Sequence, residues 1–180
     1  TDNDSAKREH KTNLQQAISL CAQANVPLYI NDDWQLALDY NAYGIHLGQE
    51  DLAQLHDSEL MQIKRQGLRL GISCHTETEL AYAHSLQPSY LAFGPVFSPI
   101  SKQVDHPPLG LTTLKQWQNC YGKLYPTTCI GGIDASNLAQ VAATGMTSVA
   151  VISALSGSAT DNKRVRFIQC FRDAMNKRVN

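Results

Sequence analysis

Several things are scarce or missing in this 180-residue chain, and each absence excludes a class of function. Fifteen Lys and Arg stand against sixteen Asp and Glu, a formal net charge of -1, so there is no basic footprint for nucleic acid. No apolar run approaches the roughly 20 residues that cross a bilayer. The polar start TDNDSAKREHKTN is no secretory signal. These features imply a soluble cytoplasmic protein with neither nucleic acid nor membrane as partner. Cys21, Cys74, Cys120, Cys129 and Cys170 are odd in number and lack CxxC spacing, which argues against a disulfide framework or a cysteine-built zinc site and for reduced thiols. Internal repeats beyond a βα period, low-complexity segments and dividing linkers are also lacking. The chain is therefore expected to be one domain, 1–180, with a sizeable core.

What is present centres on LYINDDWQLALDYNAYGIHLGQED, residues 28–51. Leu28 to Ile30 and Gly44 to Leu47 are short apolar runs bounded by polar or turn residues, and both read as buried strands. Between them Trp34, Ala37 and Leu38 have the three-four spacing of a crossover helix. Each strand ends in acid, Asn31-Asp32-Asp33 after the first and Gln49-Glu50-Asp51 after the second. Parallel neighbours would bring both acidic tips to the same rim. Carboxylates converging without a basic residue repel, and a divalent cation relieves that repulsion. Hard oxygen donors with no Cys or His pair nearby suit magnesium better than zinc. The competing explanation is helix capping, since Asp and Asn accept bonds from free backbone N–H groups.

The rest of the chain alternates. Asn13 to Ala24 reads as a helix with Leu14, Ala17, Ile18, Cys21 and Ala22 on one face. After the two strands, Leu52, Leu55, Leu60 and Ile63 mark one amphipathic helix, closed by Gly67. Then follow a strand at Leu68 to Ile72, a helix at Thr76 to Leu86, a strand at Tyr90 to Phe93 and a long proline-rich loop from Gly94 to Gly110. Leu111 to Tyr121 is helical, Thr127 to Ile130 a strand, and a helix follows Asp134. Ser148 to Ile152 is the last strand, and a final helix shows Val165, Ile168, Phe171 and Ala174 on one face. Helices alternating with apolar strands mean an α/β fold with a covered parallel sheet. Six strands suit either an open doubly wound sheet or an incomplete barrel.

Four further stretches carry chemistry. In Gly71-Ile72-Ser73-Cys74-His75-Thr76, a Cys beside a His suggests a nucleophile and its base, but adjacent residues on an extended chain point to opposite faces. Ser73 and Thr76 suit capping of the next helix. Gly94 to Lys102 enters a loop of the length typical of lids and binding elements, where Lys102 alone reads as a solvated charge. Ile130-Gly131-Gly132-Ile133-Asp134 puts two glycines between a strand and a helix, where backbone N–H groups approach anions closely and the helix start adds roughly 0.3–1 kcal/mol. Val151-Ile152-Ser153 follows the last strand, and barrels often bind phosphate at that end. His46 reads as packed or hydrogen-bonded, and His10, His56, His84 and His106 as exposed. Trp34 and Trp117 read as core rather than substrate platforms.

The segments YINDDWQLAL and YGIHLGQEDL closely resemble the thiamine phosphate synthase family, also called thiamine phosphate pyrophosphorylases, and the resemblance continues to about Ser153. It implies a (βα)8 TIM barrel lacking, in this chain, an N-terminal strand-helix-strand and the Gln-x-Arg-x-Lys motif on it that binds the pyrimidine diphosphate. It also implies a transferase that joins 4-amino-2-methyl-5-hydroxymethylpyrimidine diphosphate to 4-methyl-5-(2-phosphooxyethyl)thiazole and releases diphosphate. The small-molecule partners would be these two substrates and the cofactor Mg2+. On this resemblance Asp32 and Asp51 hold the magnesium, Asn31 and Lys102 contact the diphosphate, and Ser73 orients the pyrimidine. Ser101, Gly132, Ile152 and Ser153 would fix the thiazole phosphate. Pro99 departs from the family's threonine and supplies neither hydroxyl nor N–H, so a phosphate contact there is lost or rerouted.

Two competing functions follow from the same residues. A thiazole tautomerase paralogue would share the barrel and phosphate end, but Asn31-Asp32-Asp33 and Gly48-Gln49-Glu50-Asp51 argue against it. A non-catalytic phosphate-ligand binding domain would follow from loss of the N-terminal motif together with Pro99. The sequence leaves the oligomeric state open, with a homo-dimer or trimer among the options.

Overall fold

In the computed structural model of the chain, residues 2–98, 106–155 and 161–176 are described. The six strands follow one another in one sheet in chain order. By packing, the chain separates into two compact units, Thr1–Gly71 and Ile72–Asn180.

The first unit opens with α1 (Asp2–Gln23), then β1 (Tyr29–Asn31), α2 (Trp34–Asp39), β2 (Gly44–Leu47), α3 (Gln49–Gln54), α4 (Asp57–Arg65) and the start of β3 (Arg69–Cys74). β1 and β2 run parallel, with Tyr29 opposite Gly44, Ile30 opposite Ile45 and Asn31 opposite His46. Gly44 is required there, because a Cβ would lie 2.5 Å from the Tyr29 ring and 2.6 Å from the Arg69 carbonyl oxygen. Tyr29 meets Tyr43 edge to face at 5.5 Å, and the Arg69 guanidinium sits 4.1 Å from the Tyr43 ring centre. The core of this unit gathers Ile30, Leu36, Ala37, Ile45, Leu47, Leu52, Leu60 and Ile63.

Three expectations for this unit shift. β1 begins one residue later than Leu28 and includes Asn31. On α1, Leu14 is buried and Ala17, Ile18 and Cys21 are half-buried, but Ala22 is exposed. The single helix expected from Leu52 to Ile63 is two helices. Leu55 is extended, at φ -81° and ψ 134°, and the Glu59 carboxylate accepts the His56 N–H at 2.8 Å, which starts α4 afresh. The apolar spacing survives the break, so Leu52, Leu60 and Ile63 are all buried. Gly67, at φ +75°, follows the end of α4 as expected.

The second unit continues with the end of β3, then α5 (Glu77–Ser85), β4 (Tyr90–Phe93), α6 (Gly110–Tyr121), β5 (Thr127–Ile130), α7 (Leu138–Ala142), β6 (Ser148–Ala150) and α8 (Asp161–Asn176). β4, β5 and β6 are parallel neighbours, with Phe93 opposite Cys129 and Cys129 opposite Val149. Phe93, Leu91, Val96, Leu114, Trp117, Leu138, Val141 and Met146 are buried together in its core, and Trp117 meets Phe93 edge to face at 5.4 Å. The two ends of the loop after β4 are tied, with Leu109 N–H donating to Pro95 O at 2.8 Å and Gly110 N–H to Val96 O at 3.0 Å.

Corrections fall here too. β3 runs to Cys74, two residues past Ile72, while β6 ends at Ala150, two residues before Ile152. α7 begins at Leu138, because residues 134–137 form a hydrogen-bonded turn in which Asp134 Oδ1 accepts from Ser136 N–H and Oγ and Asn137 Oδ1 accepts the Asp134 N–H. On α8 the inward residue is Phe167, 6% exposed, whereas Val165 is 65% exposed and Ile168 43%. The expected stripe was therefore rotated away from the core, with only Phe171 and Ala174 half-buried as expected. All five cysteines are free, and among the described residues no helix is long and apolar enough to cross a membrane.

Candidate functional site

β1 and β2 end side by side, and the ladder continues one step beyond β1, with Asp32 N–H donating to His46 O at 2.9 Å. Asp32 adopts φ +65°, a left-handed conformation that Asp tolerates better than bulkier residues and that turns the chain into α2. Its neighbours take different work. Asp33 caps α2, accepting the Leu36 N–H at 3.0 Å. Asn31 donates from its amide to Asp32 Oδ2 at 2.6 Å. Past β2, in the first turn of α3, Asp51 Oδ2 accepts the Gly48 N–H at 3.2 Å and so closes the helix start. Capping thus explains Asp33 fully and Asp51 in part, and it does not explain Asp32.

The Asp32 carboxyl lies within hydrogen-bonding reach of Asp51, and its pKa is raised above the ordinary carboxylate range. Burial is the main cause, the Asp51 charge and hydrogen bond add to it, and the Asn31 amide opposes it. Two carboxylates thus meet, one just past β1 and one in the first turn of α3, with no Lys or Arg among the residues lining their cavity. That cavity measures about 290 Å³ and is lined by Asp32, Asp51 and Glu59 with Trp34, Gln35 and Gln54 among others. His46, beneath the rim on β2, has its pKa lowered by burial, against the pull of the Asp51 charge.

Sequence reasoning missed two members of this cavity. Glu59 arrives from α4, eight positions past Asp51, because the helix break at Leu55 turns the chain. Its signal was the His56-x-x-Glu59 spacing of a helix start. Trp34, expected in the core, is half-buried and lines the acidic cavity. Trp117 is buried as expected. His10, His56 and His84 are exposed, but His106 is half-buried and stacks on His75, contrary to expectation.

The second unit places the other expected residues. Ser73 is half-buried on β3. Cys74 is fully buried, and burial together with the Glu79 charge pushes its thiol to about 12, so it offers no nucleophile. Gly131 and Gly132 follow β5 at φ +105° and +63°. A Cβ on Gly131 would meet Pro95 Cβ at 2.6 Å, and one on Gly132 would meet Phe97 Cβ at 2.7 Å. The two glycines thus let the turn pack against the loop after β4, where Val96 N–H donates to Ile130 O and Phe97 N–H to Gly131 O. The helix after this turn has five residues and starts at Leu138, so the expected helix-start field at Gly132 is weak. Ile152, 71% exposed, and Ser153 lie in the turn after β6. Pro99, Ser101 and Lys102 lie outside the described residues.

The family model and the curated relatives agree on one family. A family model described as thiamine monophosphate synthase matches residues 2–155. The thiamine-phosphate synthase of Photorhabdus laumondii subsp. laumondii is 48% identical over 143 residues, covering 79% of this chain and 64% of the relative. That of Yersinia pseudotuberculosis serotype O:1b is 49% identical over 140 residues, covering 77% and 63%. The chain therefore spans somewhat under two thirds of the length of these relatives. Among solved structures, the thiamine phosphate pyrophosphorylase of Pyrococcus furiosus superposes with a TM-score of 0.77 at 26% identity, covering 94% of this chain and 77% of that one.

Proposed function

Because the chain belongs to the thiamine monophosphate synthase family, we propose that it condenses 4-amino-2-methyl-5-hydroxymethylpyrimidine diphosphate with 4-methyl-5-(2-phosphooxyethyl)thiazole to give thiamine phosphate and diphosphate. The observation that carries the reading is the meeting of Asp32, just past β1, with Asp51, in the first turn of α3 after the parallel strand β2, where burial and then the Asp51 charge raise the Asp32 pKa. A pair whose charges oppose each other in the folded protein is a natural cation seat.

The donor set fits the magnesium that this reaction calls for. It is built of carboxylate oxygens, with the Asn31 amide beside them and no sulfur, and magnesium typically takes one or two carboxylates together with substrate phosphates and waters. Asp32 and Asp51 would hold it. When bound, magnesium supplies Lewis-acid neutralisation of the departing diphosphate, a contribution of roughly several kcal/mol.

The remaining work belongs to positioning. The C–O bond between the pyrimidine methylene and the diphosphate breaks, the electron-rich ring stabilises the resulting cation, and the thiazole nitrogen forms the new C–N bond. No side chain need transfer a proton, so alignment and charge stabilisation dominate. Asn31 and Lys102 donate to the diphosphate and Ser73 orients the pyrimidine. Ser101 and the backbone or hydroxyls at Gly132, Ile152 and Ser153 hold the thiazole phosphate. The same reading makes the parallel strands part of a (βα)8 barrel, a view supported by the likeness to the Pyrococcus furiosus structure. It also treats the chain as one domain, since the boundary between its compact units falls inside β3. Its partners are then the two small substrates, in the cytoplasm.

The test is diphosphate release by the protein supplied with both substrates. Release that needs both substrates and magnesium, and stops with a chelator, supports the reading. Tautomerisation of a thiazole with no diphosphate formed would assign the paralogue's activity, and binding of phosphate ligands without turnover would assign a binding domain.

A further inference from the structure

The second unit holds a cluster of metal-ligating side chains unlike the acid pair in the first. His75, Glu79 and His106 each offer a ligand atom, and these atoms lie within 4.8 Å of one another. We propose that the three residues form a site for a borderline-soft divalent cation of the zinc type, separate from the oxygen-only pair Asp32 and Asp51.

Local structure aims two of the ligands. β3 ends at Cys74 and α5 starts after Thr76, whose Oγ1 accepts the Glu79 N–H at 3.2 Å. The return bond runs from His75 N–H to Glu79 Oε2 at 2.6 Å, and the same oxygen lies 2.9 Å from His75 Nδ1. The carboxylate is thus locked against the imidazole by a helix-capping motif. Burial pushes the Glu79 pKa up, but the backbone and ring hydrogen bonds of His75 and the fields of His75 and His106 outweigh it and hold the carboxyl below its usual range.

Capping accounts for His75 and Glu79 and leaves His106 unexplained. That residue comes from the far end of the loop after β4, yet its ring lies parallel to His75 at 4.8 Å between centres and 13° between planes. Two imidazoles and one carboxylate, all half-buried, are the donors of an open three-ligand zinc site with water in the fourth position. Metal bonds of about 2.0–2.2 Å place tetrahedral donors roughly 3.4 Å apart, so the cluster closes on a cation by side-chain rotation. Magnesium, which favours six hard oxygen donors, is a poor fit to imidazole nitrogens. The two sites therefore sort cations by donor chemistry.

The experiment titrates the whole protein with zinc against a chromophoric chelator, in excess magnesium to occupy the oxygen pair, and repeats it for His106→Ala and His106→Phe. Neither variant touches the capping bonds, and the second keeps a flat ring over His75. One zinc is expected per chain, with affinity falling at least about tenfold in both variants. Cobalt in place of zinc should show d–d bands without a thiolate charge-transfer band, which excludes the cysteines as ligands. Unchanged zinc affinity in His106→Ala or His106→Phe, a thiolate band with cobalt, or no zinc bound by the unmodified protein would each overturn the proposal. The assay uses neither substrate, so failure here leaves the proposed condensation standing.

Discussion

The acid pair that follows β1 and β2 and the glycine turn that follows β5 differ in how their polar groups are satisfied. In the glycine turn nearly everything has an internal partner. Asn137 Nδ2 donates to Gly132 O at 2.8 Å, Asp134 Oδ1 accepts from Ser136, and each glycine fills a space where a Cβ would collide with Pro95 or Phe97. At the acid tips Asp32 sits against Asp51, and burial first, then the Asp51 charge, raises its pKa. A turn whose bonds close on themselves holds its shape without a ligand, whatever its backbone then contacts. A pair of acids brought together just past two strands is less self-sufficient, and suits the proposed external cation.

The largest effect that would break this contrast is at the acid pair. Asp51→Asn keeps an oxygen for the Gly48 N–H but removes a charge, and it should lower diphosphate release by about a hundredfold or more, as expected for losing a cation contact of several kcal/mol. In chelator at neutral pH the same variant should be slightly more stable than the parent, by a few tenths of a kcal/mol after solvent screening, because the repulsion is gone. Turnover assays and urea midpoints on one preparation check both halves, and unchanged turnover would remove the cation role.

Next in size is the glycine turn. Gly132→Ala forces a Cβ into the left-handed backbone and to 2.7 Å from Phe97 Cβ, so it should cost about 1–3 kcal/mol in a denaturant titration. A cost near zero would show that the turn is slack and return the glycines to a purely ligand-facing role.

The smallest effect is a pH dependence in the same turn. Hydrogen bonds from the Ser136 side chain and backbone hold the Asp134 pKa below its usual value, with a smaller contribution from the Asn137 N–H bond and against a slight effect of burial. A depressed folded-state pKa stabilises above the unfolded value, near pH 4, and that stability fades as pH falls through the folded value. Ser136→Ala should therefore lower the melting temperature slightly at neutral pH and flatten the acid limb of the profile, the variant and parent converging below about pH 4. A steeper acid limb would contradict the assignment.

Legibility from sequence followed the kind of force involved. β4 at Tyr90–Phe93 and β5 at Thr127–Ile130 were readable to the residue, because a buried parallel strand is a short apolar run with turn residues on both sides. The acidic tips were readable because a strand end followed by Asp is local. The break at Leu55 was hidden because the apolar spacing on either side stays helical, while the Glu59 cap that divides it competes quietly. The α8 face was misjudged because Val165 and Ile168 are apolar by type and only packing selects Phe167. His106 carried no local signal at all, since its partner His75 is distant in the chain.

By itself, then, the order of residues determined the alternation of helices and strands, the family, and the presence of acid after two successive strands, since these depend on neighbours a few positions apart. Only the tertiary structure decided that Asp32 presses on Asp51, that Glu59 and Trp34 join their cavity, and that His106 lies over His75. Burial and electrostatic coupling arise between side chains that meet through space, and no periodicity along the chain encodes them.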